Sequence, residues 1–181
     1  MISKAARRYA KALLQSALEQ DILDDVEKDM RFILNTIDDS RELVVFLRSP
    51  IIKTEDKQQV LSKVFDDHIS KETKSLLILL SEKKRESLLG DICDGFINLY
   101  NQHKGIIQVD VTTAYQLDDK QREKLQKALV SSTGKKVEMA VNVDEEIMGG
   151  IIVRIDDTVI DGSVKYKIRK LKKQFAVSTA V

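Results

Sequence analysis

At Gly105 the hydrophobic period of this chain changes, and one layer of structure cannot satisfy both halves. Beyond it, Ile107, Val109, Val111 and Thr113 alternate with Gln108, Asp110 and Thr112, the pattern of a half-buried strand. Before it, apolar residues recur at helical spacing. On the opening segment they form two adjacent ridges, Ala5, Tyr9, Leu13 and Ala17 beside Ala6, Ala10, Leu14 and Leu18. Lys4, Arg7, Arg8, Lys11 and Gln15 take the opposite face. Small residues on the apolar side allow another helix to approach closely, which suits either a core or a docking groove.

The same reading predicts five more helices before the switch. One carries Ile22, Val26, Met30, Ile33 and Ile37, with acids early in it that favour the positive end of the helix dipole. A short one carries Leu43, Val44, Phe46 and Leu47, and must stop at Ser49-Pro50 because proline disfavours helix in its predecessor. Thr54 is the expected N-cap of a fourth, and Ser70 of a fifth. The run Leu76 to Leu80 on the fifth is apolar all round and is expected to be central. A sixth, from about Glu86, buries Leu88, Leu89, Ile92, Cys93, Phe96, Ile97 and Tyr100, and Gly105 suits the left-handed position after it.

After the first strand, Asp118 caps a helix with Leu125, Ala128 and Leu129 inward, closed near Gly134. Strands follow at Val137–Val143, from Ile151 after the Gly149-Gly150 turn, and at Val159-Ile160 beyond a turn at Asp156-Asp157. Asp161-Gly162-Ser163 opens a last helix in which Val164, Ile168, Leu171 and Phe175 keep helical spacing. The expected fold is therefore α+β with two domains. An N-terminal six-helix bundle fills residues 1–105, and a small C-terminal α/β domain fills 106–181. One proline and seven glycines in 181 residues agree with long regular elements.

Catalytic chemistry finds no residues to work with. His68 and His103 have no companion His or Cys at ligand spacing, so no metal site is expected. Cys93 sits between Ile92 and Phe96 on an apolar stripe, where a thiol packs as a small hydrophobe. Gly149-Gly150 lacks the spacing of a dinucleotide or phosphate loop, so no cofactor is expected either. With one cysteine an intrachain disulfide is impossible, and a reducing compartment fits. No apolar run approaches the length of a membrane span. The basic start passes straight into a patterned helix and reads as mature protein.

Thirty basic against twenty-nine acidic residues give no overall steering toward polyanions. The last helix is locally different: Lys165, Lys167, Arg169, Lys170, Lys172 and Lys173 place six cations in nine residues. A solvated face, an acidic protein partner and a nucleic acid all remain open readings of it, although no aromatics are interleaved for base stacking.

Four segments resemble the delta subunit family of the F-type ATP synthase, whose mitochondrial member is the oligomycin-sensitivity-conferring protein. They are Ala6 to Leu14 with its Arg8-Tyr9-Ala10 core; Phe46-Leu47-Arg48-Ser49-Pro50-Ile51-Ile52 ahead of Lys57; Phe96 and Tyr100 through Val111-Thr112-Thr113-Ala114; and Gly149 to Ile155 followed by Asp157 and Val159 to Val164. They fall in the family's order and span nearly the whole chain. Asp156 departs from the pattern, since Gly often stands there.

The resemblance implies a non-catalytic stator subunit that links the catalytic head to the peripheral stalk and resists rotor torque. It implies two partners, an N-terminal helix of an alpha subunit and the b subunits of the stalk, and a place at the cytoplasmic face of the bacterial plasma membrane through the complex. The family's groove between the first and fifth helices corresponds here to Ala6, Tyr9, Ala10, Leu13, Leu76 and Leu79. Stalk contact is assigned to Lys170, Lys172 and Lys173 on the last helix. The competing expectation is a nucleic-acid module built on that same helix.

Overall fold

The structure, a computed structural model, describes residues 2–155 and 157–178, and of residues 173–178 the backbone alone. The chain divides between residues 103 and 104 into two compact units.

The first unit is helical: α1 (Lys4–Glu19), α2 (Leu23–Asp39), α3 (Arg41–Arg48), α4 (Thr54–Phe65), α5 (Lys71–Glu82), a single 3-10 turn (Glu86–Leu88) and α6 (Leu89–Lys104). Local chemistry starts most of them. Ser3, Ser40 and Ser70 each accept a hydrogen bond from a first-turn amide of the following helix. Thr54, expected as a cap, is instead the first residue of α4. Lys53 holds the cap position, and no side chain closes that helix end.

The core of this unit is a contiguous apolar cluster that includes Val26, Met30, Ile33, Phe65, Leu80, Ile92 and Phe96. Ala10 explains why α1 needs small residues: a Cβ placed on Gly95 of α6 would stand 3.3 Å from the Ala10 Cβ. One buried polar tie joins α2 to α5. Asp29 accepts from the Ser70 amide at 2.8 Å and from the Thr73 hydroxyl at 2.7 Å.

The second unit runs β1 (Ile106–Thr113), α7 (Asp119–Thr133), β2 (Lys136–Val143), a 3-10 turn (Glu145–Ile147), β3 (Ile151–Ile155), β4 (Thr158–Asp161) and α8 (Val164–Ser178). The strands form a four-stranded sheet in the order β2-β1-β3-β4, with β1 parallel to β2 and the other pairs antiparallel. The parallel pair requires a crossover, and α7 supplies it. Asp118 and Gln121 close the start of α7 reciprocally as a capping box, and Gly134 ends it at φ +66°.

In register, Val109 faces Met139 and Ile155, while Val111 faces Val141 and Val153. Leu125 and Leu129 of α7 complete this small core. Gly150 is required as glycine. Its φ is +78°, and a Cβ there would lie 2.5 Å from the Gly162 carbonyl oxygen.

The six-helix and mixed-sheet architecture agrees with the α+β expectation. Two packing expectations do not hold. The Leu76–Leu80 run is not enclosed: Leu76, Leu77 and Leu80 point inward, but Ile78 and Leu79 are exposed. Five consecutive residues sweep more than a full helical turn, so a helix with one open side must show part of the run. Ala128, expected inward on α7, is also exposed, because only one narrow side of that helix meets the sheet. Asp156 and the side chain of Phe175 lie outside the described residues.

Candidate functional site

The residues assigned to the α1–α5 groove separate into two groups. Ala6, Ala10, Leu13 and Leu76 are buried in the bundle core. Tyr9 is half-buried and packs against that core from outside, and Leu79 is 39% exposed. The two helices touch, and the contact has a polar end. Arg85, just past α5, donates from Nη1 to the Tyr9 hydroxyl at 3.2 Å, with its guanidinium 5.9 Å from the ring centroid. Arg85 carries no sequence signal for this role, since it lies in a run of cations beyond the periodic part of α5.

The buried four belong to the bundle core, with Ala10 close against Gly95 of α6. Ile78 turns to the other side and lines a hollow against α4 with Gln58 and Leu61, so Tyr9 and Leu79 provide the apolar surface of the α1–α5 side. Such a surface suits an amphipathic helix laid along it, and it offers no nucleophile, acid–base pair or ligand cluster. Among the described residues no group of His, Cys, Asp and Glu could hold a metal ion. Cys93 is fully buried, and burial pushes its thiol well above the usual range, so it is a packing residue.

On α8 the structure is more open than the residue spacing suggests. Val164, Ile168 and Leu171 are all exposed, Leu171 by 51%, and so are Lys170 and Lys172. The side chain of Lys173 lies outside the described residues. The start of this helix is firmly held. The Ser163 hydroxyl accepts from the Tyr166 amide at 3.1 Å, and Asp161 accepts from the Ser163 amide at 2.9 Å. The bond from Ser163 holds the Asp161 carboxyl below its ordinary range. Val164 donates its amide to the Gly149 carbonyl at 3.0 Å, which explains the spacing of the Gly149-Gly150 and Asp161-Gly162-Ser163 segments.

The sequence signature of the ATP synthase delta (OSCP) subunit matches residues 5–175. The chain belongs to that family. Among curated delta/OSCP relatives, the ATP synthase subunit delta of Chlorobaculum parvum is 37% identical over 97% of both chains. That of Chlorobium phaeobacteroides is 39% identical over 93% of both. A chain in the mitochondrial ATP synthase hexamer of Toxoplasma gondii has a similar fold, with a TM-score of 0.77. It is 23% identical, with 96% of this chain and 98% of that one covered.

Proposed function

We propose that this protein works by gripping two neighbours with apolar surface, one on each of its units. As a delta (OSCP) family member it is a non-catalytic stator subunit of an F-type ATP synthase. The helical unit, residues 1–105, seats the N-terminal helix of an alpha subunit on the surface formed by Tyr9 and Leu79. Ala6, Ala10, Leu13 and Leu76 shape that seat from beneath. The second unit, residues 106–181, meets the b subunits of the peripheral stalk through α8.

The observation that carries this reading is the exposure of Leu79 beside the half-buried Tyr9 on two helices that touch. Apolar area removed from water contributes about 25 cal/mol per Å² before the costs of association. A seat of this kind therefore holds without ion pairs. Among the described residues no helix is long and apolar enough to cross a membrane. Attachment at the cytoplasmic face of the bacterial plasma membrane would then come through the complex.

Leu79→Asp and Tyr9→Ala should each weaken binding of a synthetic alpha N-terminal peptide by about tenfold or more, with helix content unchanged. Unaltered affinity in both variants removes the α1–α5 surface from the reading. On α8, Ile168→Asp with Leu171→Asp should abolish capture of the b subunits. Neutralising Lys170, Lys172 and Lys173 should mainly reduce the salt sensitivity of that capture. Full capture by the Asp variants would place the stalk elsewhere.

A further inference from the structure

The elbow between α3 and α4 exposes a surface that neither proposed contact uses. Pro50 ends α3, and the chain runs through Ile51, Ile52 and Lys53 before α4 begins. Ile51 is 90% exposed, and Val45 on α3 is 62% exposed. Two hollows meet at this elbow and share Ser49 and Ile52. The larger, about 540 Å³, is walled by Leu47, Pro50, Ile51 and Lys57. The other, about 500 Å³, lies against Val45 and Phe46. Apolar side chains left in water around open hollows mark a surface that a partner covers.

Charge around the elbow is one-sided. Arg41, Arg48, Lys53 and Lys84 line the hollows, and none has a carboxylate within ion-pair distance among the described residues. Glu86 is already answered by Lys57 at 3.6 Å, and Lys57 also donates to the Leu47 carbonyl at 3.0 Å. Only Glu42 and Glu55 then stand against the four cations. The first turn of α4, which no side chain caps, opens on the larger hollow through Thr54 and Glu55. Its own carboxylates, Glu55 and Asp56, answer the positive end of the helix dipole, so the cationic rim rests on the four side chains.

We propose that the α3–α4 elbow is a docking surface for an acidic peptide segment of another protein chain. The segment sets apolar anchors in the two hollows around Ile51 and carboxylates against Arg41, Arg48, Lys53 and Lys84. The complementarity of a cationic rim to that partner gives it direction and salt dependence, while the apolar hollows hold it. This surface is separate from the α1–α5 seat and does not rest on it.

The test titrates the full chain with a synthetic acidic amphipathic peptide, Leu at i, i+3 and i+4 with Glu between, and with its Lys-for-Glu counterpart. Backbone amide shifts are followed by NMR. The acidic peptide should move amides in residues 41–57 and 84–87. Lys53→Glu with Arg48→Glu should weaken it about tenfold, and Ile51→Ser by a similar factor. Leu79→Asp should leave it unchanged. Because Ile51 is almost wholly exposed, Ile51→Ser tests docking without disturbing the fold.

An equal response to the basic peptide, shifts confined to other residues, or none at millimolar peptide overturns the proposal. So does self-association through this elbow, measured by sedimentation. In the assembled ATP synthase, a photo-crosslinker at Ile51 should land on an acidic segment of another subunit. Attachment to a basic segment or to a second copy of this chain would equally overturn it.

Discussion

Tyr100 hangs on the edge of the helical core and donates its hydroxyl to Asp24 on α2 at 2.9 Å. Loss of solvent around the ring, together with that bond, pushes the phenol from its ordinary 10.0 up to about 12. The neutral phenol is favoured in the folded state, so this contribution is whole below pH 10. It declines as pH rises toward 12, because the unfolded chain ionises first. An ultraviolet titration should show a late tyrosine step, and Tyr100→Phe should remove that step. The variant should also lose about 0.5–1.5 kcal/mol at neutral pH, read from the urea midpoint. If the wild type shows no late step that Tyr100→Phe removes, the bond to Asp24 does not form in solution. Nothing in the spacing of α6 announces this pair. Periodicity placed Tyr100 on the inner side, but its partner is 76 positions away.

At the scale of elements, sequence carried most where local chemistry decides. The period change at Gly105, the caps at Ser70 and Asp118, and the glycine ends at 105 and 134 all depend on residues within a few positions, and all appear in the structure. Thr54 is not the cap but the first residue of α4, and the tie that holds this end of the helix comes from Lys57. Its ammonium reaches the Leu47 carbonyl and Glu86, both far along the chain. The open side of α5 was hidden for a related reason: an all-apolar run does not say which neighbours are missing. The proposed seat follows the same division, with Tyr9 and Leu79 reachable by resemblance and spacing and the contact of Arg85 with Tyr9 by neither.

The Lys57–Glu86 pair itself makes a sharp prediction. Both side chains are almost wholly buried, so removing either partner leaves an uncompensated charge. Lys57→Met or Glu86→Leu alone should cost roughly 3–5 kcal/mol, whereas the two together should cost much less. Urea denaturation of the two single variants and the double variant completes the cycle. Additive losses would mean that the two charges act independently.

For the whole molecule, the proposed demand is to hold two neighbours while the rotor turns, and each unit has an apolar core of its own. Among the described residues, the first core is built from the helices of residues 4–104, and the second from β1, β2, β3 and α7. A chain built this way can divide its labour. Residues 1–105 expressed alone should fold with high helix content and bind the alpha N-terminal peptide within about twofold of the full chain. Residues 106–181 alone should capture the b subunits but not the peptide. Neither piece, nor both added unlinked, should restore coupled ATP synthesis to membranes stripped of this subunit. Torque must pass through one continuous chain, and two separate grips transmit none. Peptide titration, b-subunit capture and ATP synthesis by the reconstituted membranes check the three parts in turn. Recovery of coupling by the unlinked pieces would show that the covalent join at residues 105–106 bears no load, and the stator path would then have to run through contacts between neighbours.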